Sequence, residues 1–550
     1  MAIKYTEEQL NTIDKSLLIA MFLGLQEQVE TLTKEVSSMD NKMQLMMEQL
    51  ILANQARFGR SSEKMSDQNQ ICFMEVDGEI VFFNEAEAVC DLEAPEPEDL
   101  EIKKPRGKKQ AGKKAMDMSG LTTNIIPHYM TEDELTAEFG ENGWKQLPDA
   151  IAKRYKFIPA RVEVDEHHIG VYSSKIDGHM KKADYPRSLL HGSPVSSSLA
   201  AAVMNGKYVN AVPLYRLEKE FERYGLAITR QNMANWMIRL GEDYLGVMYD
   251  YLHILLYDYH VIQADETPVL VHRDGRPAGS KSYMWVYRSG FMYADRQIIL
   301  YEYQKTRNAS HPRTFLRGYS GICVTDGYQV YHTVEKEIED LTIAGCWVHA
   351  RRRFDEASKT IPEAGRKKSM AYLIMKQIQA IYREEGKLKD LSSEERLKQR
   401  QVIIKPLVDA LFVYLKQKEH EVPKNGKLRD GFTYILNQER YLRVFLEDGD
   451  VPMDNNASER SIRGFCIGKK NWQVIDTING ANSSAIIYSI AETAKANNLK
   501  PYEYFEYLLT EISKHREDKD RSFLEDLLPW SDKLPENIRK PQKQESMGHV

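Results

Sequence analysis

The sequence predicts a multidomain chain: an N-terminal α-helical coiled coil, a small mixed domain, a helical domain of helix–turn–helix pattern, and an α/β domain interrupted by a helical insertion. Three observations predict it. Leu18, Phe22, Leu25, Val29, Leu32, Val36, Met39, Met43, Met46 and Leu50 alternate by four and three residues, the seam of a two-stranded coil. Two apolar runs, 261–270 and 321–328, each carry an aspartate and read as strands, with further strand-like runs between them. A long polar helical stretch at about 361–440 then separates them from an acidic and basic segment at 451–472.

Composition narrows the setting. Hydrophobic residues are 42% and charged residues 28% of the 550, as in ordinary globular proteins. A formal net charge of -6 decides nothing about nucleic acid, because a basic face can hide in an acidic average. Cys72, Cys90, Cys323, Cys346 and Cys466 are scattered without paired spacing, which suits a reducing cytoplasm. No signal peptide and no apolar run of bilayer length is found, so membrane and secretory roles are not expected.

The coiled coil is expected over 15–57, giving a homo-oligomer, and ends near Gly59. Residues 58–124 read as a linker, acidic at first and then carrying seven positive charges between Lys103 and Lys114. Arg106, Lys108 and Lys109 are candidates for lying along DNA phosphates; the bland alternative is a solubilising tether. Residues 125–190 read as a small mixed domain with strand-like runs at Arg161–Val164 and His167–Tyr172. His167, His168 and His179 lack companion cysteines and are read as surface or packing residues, with no zinc expected.

Residues 193–250 turn helical: one amphipathic helix from Leu214, a break at Gly225, and a second helix capped by Thr229. Arg230, Gln231, Asn232 and Asn235 on that second helix are types able to reach base edges, although any tight helical hairpin looks similar.

The α/β domain is expected over 255–480, with the helical insertion inside it, and residues 481–550 as a C-terminal helical element and tail. Asp265 interrupts a β-branched run, and a buried carboxylate demands compensation. Asp326 repeats the pattern at the end of a second strand, so both acids can share one sheet edge. Glu459 stands three residues after Asn456, where a capping box would also put it. The combination favours divalent cations, because three hard-oxygen ligands suit magnesium or manganese, and two such ions support displacement at phosphorus. His349, Arg351, Arg352, Arg460, Arg463, Lys469 and Lys470 supply the basic surroundings expected of a DNA-backbone contact. Strand alternation sets Asp265 and Glu266 on opposite faces, so Asp265 alone is taken as the ligand. A glycoside hydrolase also pairs carboxylates, but it would place aromatic platforms rather than Arg and Lys beside them.

Several blocks in order carry a resemblance. They are the zipper followed by Phe58-Gly59-Arg60-Ser61-Ser62-Glu63-Lys64, Ala264-Asp265-Glu266-Thr267-Pro268, Thr325-Asp326-Gly327-Tyr328 and Cys346-Trp347-Val348-His349-Ala350-Arg351-Arg352. Asp454-Asn455-Asn456, Glu459-Arg460-Ser461-Ile462-Arg463, Gly468-Lys469-Lys470-Asn471-Trp472, Glu492-Thr493-Ala494-Lys495 and Leu527-Leu528-Pro529-Trp530 continue it. With these the chain resembles the transposases of the insertion sequence 66 family, DDE-type recombinases with a ribonuclease-H-like catalytic domain. The resemblance implies a catalytic and metal-binding triad of Asp265, Asp326 and Glu459 with Mg2+ or Mn2+, two ions. It implies strand cleavage at element ends and 3'-hydroxyl transfer into target DNA, double-stranded DNA as partner, accessory proteins from the same element, and a bacterial cytoplasm. The alternative is a catalytically inactive, transposase-derived DNA-binding protein. One departure stands out: the family's zinc-binding domain is cysteine-rich, whereas no cysteine lies between Cys90 and Cys323, so 125–190 is expected to be a degenerate zinc-finger-like domain.

Overall fold

The computed structural model describes residues 73–76, 79–82 and, with gaps within 142–187 and at 278 and 291, residues 124–541. The expected coiled coil at 15–57 and the linker residues Arg106, Lys108 and Lys109 lie outside them. The described residues fall into two compact units, one of which spans 165–540.

In the smaller unit, strands β1 (Phe73–Val76) and β2 (Glu79–Phe82) form an antiparallel pair. A helix, Glu132–Phe139, opens on a capping box in which Thr131 and Glu134 satisfy each other's backbone N–H. Among the described residues the strand expected at Arg161–Val164 is absent, and Arg161 and Glu163 are joined in an exposed ion pair. A lone extended segment has nothing to accept its N–H groups except water, so alternation alone makes no sheet.

In the larger unit, the expected run His167–Tyr172 shrinks to a short exposed pair, β3 (Val171–Ser173) with β4 (Met180–Lys182). His167 packs edge-on against Tyr185 and His168 lies 3.1 Å from Glu166. The helices α1 (Leu214–Arg223) and α2 (Arg230–Leu240) follow, joined through Gly225 at φ 83°. Thr229 caps α2 by accepting the Asn232 N–H at 3.2 Å. Leu217 and Phe221 from α1 and Met233, Trp236 and Met237 from α2 are buried.

The centre is a six-stranded sheet of β5 (Val261–Arg273), β6 (Lys281–Ser289), β7 (Ile299–Gln304), β8 (Gly321–Thr325), β9 (Leu341–Gly345) and β10 (Val474–Thr477). Its order is β7-β6-β5-β8-β9; the first three strands form an antiparallel meander, and β8, β9 and β10 run parallel to their neighbours. β5 pairs with β8 only from Val261 to Gln263 and with β10 only from Leu270 onward. Between them one side of β5 has no strand partner. Pro268, which has no N–H to give, falls in that interval, and its carbonyl accepts from Lys469 Nζ at 2.8 Å.

Three helices flank this sheet. The first, α3 (Trp347–Lys359), leaves β9; α4 (Asn456–Trp472) lies across β5; α5 (Ile478–Ala496) packs on β7. Ser489 and Thr493 of α5 give hydroxyl oxygens to the N–H groups of Tyr301 and Ile299, at 2.7 and 3.0 Å, which satisfies the edge of β7. The division expected at residue 480 therefore cuts through a packed layer, and 193–250 and 255–480 share the same compact unit. Sequence periodicity shows helices but not which strand edge needs covering.

The insertion comprises helices from Glu363 to Arg443, including Met370–Gly386, Lys405–Lys418 and Lys427–Asn437. Its Ile378, Phe412 and Phe432 join Trp347, Phe354 and Val324 in one continuous core. Gly327 and Gly345, at the ends of β8 and β9, meet it directly: a Cβ on Gly327 would lie 2.6 Å from the Tyr434 ring, and one on Gly345 3.2 Å from Tyr441.

Candidate active site

The parallel register of β5 and β8, carried two residues past the Gln263–Val324 pair, sets Asp265 beside Asp326. Asp265 faces the same side as Val286 and Tyr301, its neighbours across β6 and β7. That side is covered by α4, because the Tyr301 hydroxyl donates to the Ser461 carbonyl and Gln263 reaches the Asp454 carbonyl at 3.2 Å. Glu459, one turn into α4, thereby confronts the two aspartates. The bland alternative for Glu459, a capping box, does not form: the N-cap is Asn455, and its side chain makes no capping bond.

Asn455 acts instead as a tie. It is 1% exposed, donates from Nδ2 to the Ala264 carbonyl at 2.7 Å, and accepts at Oδ1 from Gln263 and Ser458. Its backbone N–H meets the Cys346 sulfur at 3.3 Å. One buried amide thus fixes the strand beside Asp265 to the helix that carries Glu459. Arg288 on β6 adds a second tie, donating to the Ala457 carbonyl and the Ser461 hydroxyl at 3.1 Å each. Asn455→Ala should cost about 3 kcal/mol, because the Ala264 carbonyl and the Gln263 amide lose buried partners; denaturant unfolding measures it.

The electrostatics mark the site. Burial, then the charges of Glu266 and Asp326 and more weakly that of Glu459, push the Asp265 carboxyl well above the usual carboxylate range. The Glu266 N–H donating to Asp265 Oδ1 at 2.9 Å opposes this. His349 Nε2 stands 3.9 Å and Arg352 Nη2 3.7 Å from the Glu459 carboxylate. Burial holds His349 below its ordinary pKa against the pull of Asp326 and Glu459. Glu459 Oε1 is buried with no hydrogen-bond partner.

Glu266 points to the other face, with Trp285 and Glu302, as strand alternation expects. It is nevertheless buried and close enough to be the strongest charge acting on Asp265. Arg307 Nε donates to its Oε1 at 2.7 Å, Arg307 Nη2 bonds the same oxygen, and the Tyr331 hydroxyl donates to Oε2 at 3.0 Å. Arg307 also lies 4.0 Å from Asp326 Oδ2 and 3.5 Å over the Tyr328 ring. Sequence reasoning missed Arg307, Asn455 and Arg288. The buried acid Glu266 was the one signal for Arg307, since such a charge implies a partner somewhere.

The remaining basic candidates separate. Arg351, Arg352, Arg460, Arg463 and Lys470 are exposed along α3 and α4. Lys469 is engaged by the Pro268 carbonyl. Arg230, Gln231, Asn232 and Asn235 are exposed together on the first turns of α2, with Arg230 stacked 5.7 Å over Tyr215. Among the described residues no three His, Cys, Asp or Glu side chains already converge on one point as metal ligands do. The donor set still fits a hard cation: the three acids are all oxygen donors, they repel one another, and a Glu459 oxygen lacks a partner.

Comparisons with known proteins give the following matches. A sequence profile described as Transposase IS66 family matches residues 192–483, one described as IS66 C-terminal element matches 489–530, and one described as Transposase C of IS166 homeodomain matches 45–118. The uncharacterized protein y4qI of Sinorhizobium fredii (strain NBRC 101917 / NGR234) is 26% identical over 390 residues, covering 69% of this chain and 70% of its own. The uncharacterized protein y4jD of the same strain is 25% identical over 397 residues, 70% of this chain and 76% of its own. Among solved structures, the Mos1 transposase paired-end complex with left transposon end matches at 15% identity and a TM-score of 0.11, over 30% of this chain and 62% of that one.

Proposed function

The chain belongs to the insertion sequence 66 family of transposases, and from that membership we propose a DDE-type enzyme that cuts DNA at element ends and joins them to a target. The observation that carries the reading is the meeting of Asp265, Asp326 and Glu459 on one side of the sheet, with their charges uncompensated among themselves. The strand order, an antiparallel meander extended by two parallel strands, supports a ribonuclease-H-like domain. Asp265, Asp326 and Glu459 would hold Mg2+ or Mn2+, in a pair of ions, which supply an activated attacking oxygen and a stabilised leaving oxygen when bound.

The chain's own residues do the rest. Exposed Arg351, Arg352, Arg460, Arg463 and Lys470 grip the phosphodiester backbone, and α2 presents Arg230, Gln231, Asn232 and Asn235 to base edges. In cleavage, a water oxygen bonds to phosphorus and the bond to the 3'-oxygen breaks, leaving a 3'-hydroxyl and a 5'-phosphate. In transfer, that 3'-hydroxyl attacks a target phosphodiester and releases the target's own 3'-oxygen. Each step exchanges one phosphoester bond for another, so no redox partner is needed. The heptad spacing in the sequence at 15–57 would suit pairing of two copies, in keeping with two element ends, and accessory proteins of the element would join them. No helix among the described residues is long and apolar enough to cross a membrane.

The test is direct. Purified protein with labelled element-end DNA should nick and join only when Mg2+ or Mn2+ is present, and chelation should stop both steps. Cleavage that persists in chelator would sink the reading. Arg230→Ala and Asn235→Ala should each weaken end-specific binding about tenfold in a gel shift, with little change on unrelated DNA.

A further inference from the structure

We propose that Arg307 is a positioning residue whose task is to keep Glu266 out of the cation site, reserving that site for Asp265, Asp326 and Glu459. The inference rests on the catalytic reading above. Glu266 leaves β5 on the face opposite Asp265, yet a single guanidinium, that of Arg307, both bonds Glu266 Oε1 and lies 4.0 Å from Asp326 Oδ2, so this buried carboxylate stands at the rim of the site beside a stretch of β5 with no strand partner. A fourth carboxylate at this spot is a hazard. Ligand number and charge set both the affinity and the geometry of a hard-cation site, so an extra oxygen donor binds the ion more tightly in the wrong arrangement.

The structure shows how that is prevented. Arg307 lays two N–H groups on Glu266 Oε1, and Tyr331 occupies Oε2 from the other end. The guanidinium is itself immobilised. Its plane stacks on Tyr328 at 3.5 Å, and the Tyr328 hydroxyl returns a hydrogen bond to the Arg307 carbonyl at 2.8 Å. Tyr328 also donates its backbone N–H to Asp326 Oδ1 at 3.0 Å. A chain of contacts therefore runs Glu266, Arg307, Tyr328, Asp326. It locks one acid away while holding its neighbour in place. A lysine would not do, since a point charge cannot span the fork and the stack together.

The signature is a split between binding and turnover. Arg307→Ala frees Glu266 and should bind Mn2+ about tenfold tighter by calorimetry, because a negative charge is uncovered beside the site. The same variant should cleave element ends at least about a hundredfold more slowly. Arg307→Lys should lie between the parent and Arg307→Ala in both readouts. Glu266→Gln on the Arg307→Ala background should return Mn2+ affinity to the parental value and recover most of the cleavage. Mn2+ binding by Arg307→Ala that is equal to or weaker than the parent's overturns the inference, and so does a double variant as slow as Arg307→Ala. Loss of fold lowers affinity and turnover together, which Arg307→Lys and the double variant would reveal. Failure of the catalytic reading shows separately, as a parent chain that binds Mn2+ without cutting.

Discussion

Asp326→Asn should lower metal-dependent strand cleavage by at least about 10^3-fold and leave the protein no less stable. Both halves follow from where the side chain sits. Asp326 Oδ1 accepts the Tyr328 N–H, a bond that an amide oxygen keeps, so the turn after β8 survives. What disappears is a negative charge, and that charge is among those raising the Asp265 carboxyl. Removing it relieves repulsion in the unloaded protein, worth about 1 kcal/mol at the effective dielectric of such a site. The expected variant is therefore inert, slightly more heat-resistant without metal, and unchanged in metal-free DNA binding. Gel-resolved cleavage and a thermal melt in chelator check it. Cleavage within tenfold of the parent would remove Asp326 from the site.

The second large effect lies on the opposite face of the sheet. Glu302 on β7 is largely buried, its Oε2 has no hydrogen-bond partner, and burial raises its pKa to about 7, opposed only by the Gln304 amide at 2.9 Å. The folded protein thus holds this proton more tightly than the unfolded chain does. Stability from Glu302 is fully present below the ordinary carboxylate pKa and drains away as pH rises to about 7 and beyond. The loss is on the order of 3 kcal/mol by pH 8. Glu302→Gln should abolish that slope and leave the variant about 3 kcal/mol more stable than the parent at pH 8, with little difference at pH 4.5. Denaturant unfolding across this range measures it, and parallel curves for the two proteins would contradict the assignment.

Much of the sheet was legible because its strands are buried on both faces. Runs such as Val261–Ile262 and Ile322–Cys323–Val324 are too apolar to be anything else, and an aspartate within them is conspicuous. The meeting of Asp265 with Asp326 follows from parallel register, which sequence cannot supply but two similar strand endings suggest. The network around the acids was not legible. Arg307 follows a strand far along the chain from Glu266, and nothing local links them. Asn455 stands in the sequence beside Asn456 ahead of a helix, and only tertiary packing turns its amide onto the Ala264 carbonyl. Arg161–Val164 failed for the opposite reason: its alternation is real, but no strand among the described residues pairs with it. The hydroxyls of Ser489 and Thr493 read as ordinary small helix residues until the edge of β7 lies beneath them.

That edge has a consequence in time. Translation delivers β5, β6, β7, β8 and β9 first, then the whole insertion, and only afterwards α4 with Glu459 and α5 with Ser489 and Thr493. At about 5–20 residues per second the gap between Thr325 leaving the ribosome and α5 following it is roughly 10–30 s. Throughout that interval the nascent chain carries Asp265 and Asp326 without Glu459, and a β7 edge with nothing over it. Completion of α4 and α5 then brings Glu459 to the aspartates and covers the β7 edge together.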